Sequence, residues 1–148
     1  MRIAFYRARY GSWMDYFVAF FTAGPYSHVE FVFSDGVWFS SSSRDGGVRY
    51  KQIKPGSHWV YLDLPVSGEE EVKLRAWCDG EVGCAYDWKE VFRFGFPWLT
   101  KDDSRWFCSE IVIAGLQQLD FLTQYKQEDF SPNAFFKLLI DSGFKVVV

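Results

Sequence analysis

The chain has 148 residues, 49% hydrophobic and 21% aromatic, with 16 Lys and Arg against 19 Asp and Glu for a formal charge of −3 at pH 7. So much apolar surface excludes general disorder, and the length fits one domain over residues 1–148. A charge balance this close to neutral creates no basic field, which argues against electrostatically driven nucleic-acid binding.

Residues 2–8 alternate as a first strand, and Ser12 then caps a short helix over 13–21 that ends at Ala23-Gly24-Pro25. Residues 26–33 form the next strand. Its row Val29, Phe31, Phe33 is wholly apolar, whereas the opposite row carries His28 and Glu30. Ser34-Asp35-Gly36 signals a hairpin, and residues 37–43 return as a strand ending in four serines before the turn Arg44-Asp45-Gly46-Gly47. Residues 48–53 and 59–64 read as two further strands. The acidic start and basic continuation of 69–78 mark a helix behind Ser67, with the three glutamates as a solvated opening turn. A second helix is expected over 86–94, then a break at Gly95-Phe96-Pro97-Trp98 and a polar loop over 100–104. A third helix runs from about Trp106 to Leu119. Ser131 and Pro132 open a last one, and Gly143 precedes a terminal strand over 144–148. The class is therefore α+β, with an antiparallel sheet packed against the cysteine-bearing helix.

Cys108 carries the chemistry. A thiol in the first turn of a helix lies among backbone N–H groups without intrahelical acceptors and at the positive end of the dipole, which favours the nucleophilic anion. Cys108 also shares the stripe Ile111, Val112, Gly115, Leu116, Leu119, so a structural core cysteine fits the same pattern. His28 on its strand supplies the general base that a cysteine nucleophile requires. The other histidine, His58, is expected to be exposed at a strand start, and Cys78 and Cys84 are expected to pack around a helix end. Three cysteines without a C-x-x-C pair argue against a disulfide framework and against zinc, and suit a reducing compartment. With only two histidines, no metal and no cofactor is expected. Early arginines interrupt any apolar leader, and the longest apolar stretch, 16–23, falls far short of the roughly 20 residues of a membrane span. A soluble cytoplasmic protein without a transmembrane segment is the expectation.

The succession Gly-Pro-Tyr-Ser-His-Val-x-Phe-Val, hairpin, Gly-Gly-Val, Ala-Tyr-Asp-Trp, Phe-Cys-Ser-Glu-Ile-Val and Ser-Pro-x-x-Phe-x-x-Leu resembles the circularly permuted, papain-like NlpC-type hydrolases of the YiiX/YebB kind. The resemblance extends from about Ile3 to Leu139, and its most specific parts are Tyr26-Ser27-His28-Val29 and Phe107-Cys108-Ser109-Glu110. It implies a permuted papain-like fold with the histidine strand before the cysteine helix, Cys108 as nucleophile and His28 as base. It also implies a compact, bacteriophage-type product acting in a host cytoplasm. The oxyanion is then met by the backbone N–H of Cys108, with Tyr86 as the second donor that the family's Tyr-Asp pair suggests.

The third catalytic position is where the chain departs from that pattern. Relatives often place Glu or His on the strand after the hairpin, and here that stretch is Phe39-Ser40-Ser41-Ser42-Ser43. Ser40 and Ser41 are the candidates, and they bring no charge to stabilise an imidazolium. A two-residue turn pairs Glu30 with Ser41 and His28 with Ser43, whereas a slip of one puts Ser40 and Ser42 on that face. Glu30, roughly 7 Å along the strand from His28, is the charged candidate, and reads more readily as a substrate contact or hydrated residue. Asp45 is explained by its turn alone. The expected activity is attack of Cys108 on an amide of a peptide or peptidoglycan-like substrate through an acyl-enzyme. A lipid acyltransferase or thioesterase on the same fold is the first alternative, which the aromatic surplus would suit. The second is a catalytically weak effector that binds a host protein partner.

Overall fold

The computed structural model describes residues 1–89 and 105–147. In chain order it forms β1 (Arg2–Arg7), α1 (Trp13–Phe21), β2 (Tyr26–Val32), β3 (Val37–Ser42), β4 (Gly47–Gln52), β5 (Trp59–Asp63), α2 (Gly68–Glu81), β6 (Ala85–Tyr86), β7 (Arg105–Trp106), α3 (Cys108–Gln117), α4 (Pro132–Asp141) and β8 (Val146–Val147). The strands make one mixed sheet in the order β7-β6-β4-β3-β2-β1-β5-β8. Every pairing is antiparallel except β6 with β7. The α+β class and the sheet packed on the cysteine helix follow directly. Among the described residues no helix is long and apolar enough to cross a membrane.

The β2–β3 hairpin is closed by a three-residue loop. Phe33 N–H donates to Val37 C=O at 2.9 Å, and Gly36 N–H donates to Phe33 C=O at 3.0 Å, with Gly36 at φ 81°. A left-handed third residue is what this turn needs, and glycine adopts it without a Cβ penalty. The resulting register, Phe31 opposite Phe39 and Val32 opposite Trp38, places Ser40 and Ser42 on the His28–Glu30 face. A bulge on β2, where Tyr6 pairs with His28 and Arg7 with Tyr26, breaks the ladder at Ser27, and bulges of this kind re-aim neighbouring side chains.

The two faces of the sheet differ. One carries Ile3, Phe5, Val29, Phe31, Phe39 and Leu62 into the main core, against α3 and residues of α2 and α4. The other carries a small cluster, Ala4, Trp38 and Trp59, beside the charged row described below. α3 is buried on every side from Cys108 to Leu116, rather than along one stripe, because it touches β2 and β3 on one flank and α2 and α4 on the other. Gly115 permits that approach: a Cβ there would lie 2.7 Å from Phe31 Cε2 and 3.1 Å from Leu74 Cδ1.

Several boundaries differ from expectation. α2 runs on to Glu81, and β8 is reduced to Val146–Val147. Tyr86 lies in β6, not in a helix, because Gly46 C=O accepts its N–H and ties it to the sheet. Trp106 likewise belongs to β7, so the helix begins at Cys108 itself. Of the helix expected over 86–94, Trp88 and Lys89 are helical, and residues 90–94, the 95–98 break and the 100–104 loop lie outside the described residues.

Candidate active site

α3 opens with Phe107 in extended conformation and its N–H donating to Glu110 Oε2 at 3.0 Å, a carboxylate cap three residues on. This cap leaves the first-turn N–H groups, that of Cys108 included, without intrahelical acceptors. The Cys108 side chain lies within hydrogen-bonding reach of the His28 ring, while the residue is only 1% exposed. Chain-distant elements have thus brought the expected nucleophile and base together.

The imidazole also meets Glu30. His28 Nε2 lies 3.0 Å from Glu30 Oε1, with Glu30 1% exposed. This corrects the reading of Glu30 as a hydrated residue or substrate contact. About 7 Å is the backbone separation of i and i+2 on a strand, and two side chains leaning along the same face close it. The serines do not orient the ring. Ser40 Oγ donates to Val29 C=O at 2.7 Å, and Ser41 Oγ, on the opposite face, donates to Trp106 C=O at 2.7 Å. Both hydroxyls satisfy backbone carbonyls in buried surroundings, which accounts for them without catalysis.

Glu30 is itself held by Arg49, a residue that sequence reasoning missed. Arg49 Nη1 donates to Glu30 Oε2 at 2.8 Å and Nη2 to Oε1 at 2.9 Å, a two-pronged match of guanidinium to carboxylate. Its Nε donates to Asp45 Oδ2 at 2.8 Å, and Lys51 Nζ donates to Asp45 Oδ1 at 2.7 Å. Asp45 is therefore more than a turn residue. The available signal was the alternation of β4, in which Arg49 pairs opposite Ser40 and Lys51 opposite Trp38, both on the His28 face.

Charge follows this geometry. Burial works against an imidazolium at His28, yet Cys108, by charge and hydrogen bond, and then Glu30 carry the ring's pKa up to about 9. Burial would also raise Glu30, but the bonds from His28 and Arg49 outweigh it and hold the carboxyl below its ordinary range. Partial burial opposes ionisation of Asp45 in the same way, and Lys51 with Arg49 holds it at about 2. Burial above all, then charge on Cys108, keeps the Tyr86 phenol far above its usual value, so Tyr86 stays protonated. Burial pushes the Cys78 thiol up, and burial with Glu81 does the same for Cys84.

His28, Glu30, Asp45, Arg49 and Tyr86 line a cleft of about 510 Å³ with the aromatic walls Tyr6, Trp13 and Trp59. His58 lines it too, half-buried with its ring centroid 5.4 Å from that of Tyr6, and not exposed as expected. Ser27, at the β2 bulge, donates to Asp15 Oδ1 at 2.8 Å and ties α1 to the strand beside His28. Compared with known proteins, the chain matches no family model, and no curated protein matches its sequence.

Proposed function

We propose that the chain is a cysteine-dependent hydrolase of the permuted papain-like, NlpC-type kind, acting on amide bonds of a peptide or peptidoglycan-like substrate. The observation that carries this reading is the continuous contact Cys108, His28, Glu30, Arg49. Cys108 Sγ attacks the carbonyl carbon, and the developing oxyanion is met by the Cys108 N–H and the Tyr86 hydroxyl. The imidazolium of His28 then gives its proton to the leaving amine, and water activated by the neutral ring resolves the acyl-enzyme. Glu30 fixes the ring and stabilises its charge, and Arg49 keeps Glu30 ionised and in place. The anionic orienter that the serine tract lacks is thereby supplied from the histidine's own strand.

One observation favours a binding protein on the same fold: Cys108 is almost wholly covered. Site-specific alkylation separates the two readings. Cys108 is expected to react near pH 7 in preference to Cys78 and Cys84, and His28→Ala to slow that reaction by about tenfold or more. A Cys108 that stays inert across the pH range, or reacts indifferently to His28, removes the catalytic reading and leaves the binder. An activated pair that hydrolyses acyl esters or thioesters but not amides would move the activity to acyl transfer or thioester hydrolysis.

A further inference from the structure

α1 presents its aromatic side to solvent. Trp13, Tyr16, Phe20 and Phe21 are exposed, Trp13 by 74% and Phe20 by 80%. At 3.6 residues per turn they span a sector of about 140°, within which Phe17 is half-buried and packs against the main core. The inward side is met by Val18 and Met14, with Asp15 tied to Ser12, Ser27 and Arg44. A soluble helix normally buries its aromatic face, and exposed aromatic patches mark contact surfaces.

Charge beside the patch identifies the occupant. Arg7 and Arg9 line a second cavity, of about 470 Å³, with Tyr16 and Ala19 of α1, and no acidic residue lines it. Arg7 donates to Ser57 C=O at 2.9 Å and Arg9 to the Tyr10 hydroxyl at 2.7 Å, both neutral acceptors. Among the described residues neither arginine is in an ion pair. An aromatic helix face edged by uncompensated guanidinium matches an anionic lipid surface, with rings at the acyl boundary and arginines among the headgroups. A two-fold contact with a second copy would set this arginine-edged face against itself, which like charge disfavours.

We propose that α1, with Arg7 and Arg9, docks the protein on anionic membrane surfaces. Trp13 and Met14 also line the His28 cleft, so docking brings the cleft mouth to the lipid boundary. The proposal does not depend on catalysis, and a Cys108→Ala chain binds in the same way.

Flotation of the full chain with vesicles tests it, comparing pure phosphatidylcholine with phosphatidylcholine and phosphatidylglycerol at roughly 7:3. Binding is expected to the anionic vesicles, weakening as salt rises. Phe20→Ser combined with Trp13→Ser is expected to lower it by about tenfold or more, and Arg9→Gln by about threefold to tenfold. Since these side chains lie at the surface, the variants retain the circular dichroism and melting of the parent. Failure to float with anionic vesicles, equal binding to both compositions, or binding indifferent to the Phe20 and Trp13 changes overturns the proposal. So does concentration-dependent self-association in lipid-free solution that the same two changes abolish.

Discussion

The two faces of the sheet solve burial in opposite ways. On the helix-covered face Val29, Phe31 and Phe39 pack in one apolar core with Ile111, Val112 and Leu116, and the few polar groups there, such as the Ser41 and Ser109 hydroxyls, donate to backbone carbonyls. On the open face His28, Glu30, Arg49 and Asp45 are held by one another, and Glu30 is as buried as the core residues behind it. The difference teaches where chemistry can reside. An apolar face tolerates volume-conserving change, whereas a buried carboxylate survives only with complete pairing, and that pairing holds an imidazole in one orientation.

The sharpest way to break this comparison is to delete one charge. Glu30→Ala leaves the Arg49 guanidinium and the His28 ring without their shared partner in a desolvated place, and should cost about 3–5 kcal/mol in urea unfolding. Ile111→Ala on the other face should cost about 2–5 kcal/mol, through lost transfer energy and a cavity. A Glu30→Ala loss well under that of Ile111→Ala would mean that the open face is not held by its ion pairs.

Protonation sharpens the contrast. With the folded-state pKa of His28 raised from 6.5 to about 9, its contribution to stability is full below 6.5 and is lost as pH rises through about 9. Glu30, held low, contributes above the ordinary carboxylate range and loses that contribution as pH falls through its depressed value. Stability from this face is therefore greatest between the two. With only two histidines in the chain, His28 is readily followed by NMR. Its ring should titrate near 9 in the parent and move down in Cys108→Ala, where burial is opposed only by Glu30. An unchanged titration in that variant would separate the thiol from the imidazole. The smallest effect belongs to Lys51, whose side chain is 48% exposed. Lys51→Met should alter stability by no more than about 1 kcal/mol, and a larger loss would make the outer ion pair part of the structural network.

Much of this was legible along the chain. The Ser12 and Ser67 caps, the alternation over β2, the start of α3 near Cys108 and the Ser131-Pro132 opening of α4 are local signals, and the structure repeats them within a few residues. Register was not legible, because both two-residue and three-residue turns suit Ser34-Asp35-Gly36, and Gly36 at positive φ selects the latter. Tyr86 read as helical because its sheet partner, Gly47 beside Ala85, is remote in sequence. Glu30 was placed on the correct strand face but kept from His28 by reasoning with backbone spacing alone.

What the sequence by itself determined is therefore local: which segments coil or extend, where caps and turns fall, and that one cysteine starts a helix while one histidine stands on a strand. Only the tertiary structure decided that Cys108 and Glu30 both reach the His28 ring, that Arg49 and not a serine completes the row, and that α1 turns most of its aromatic residues outward. The physical reason is range. Capping and periodicity act within a few residues and leave their mark in composition, whereas a buried ion pair is stabilised by whatever the fold packs around it, which strand order and register set and no short stretch of chain encodes.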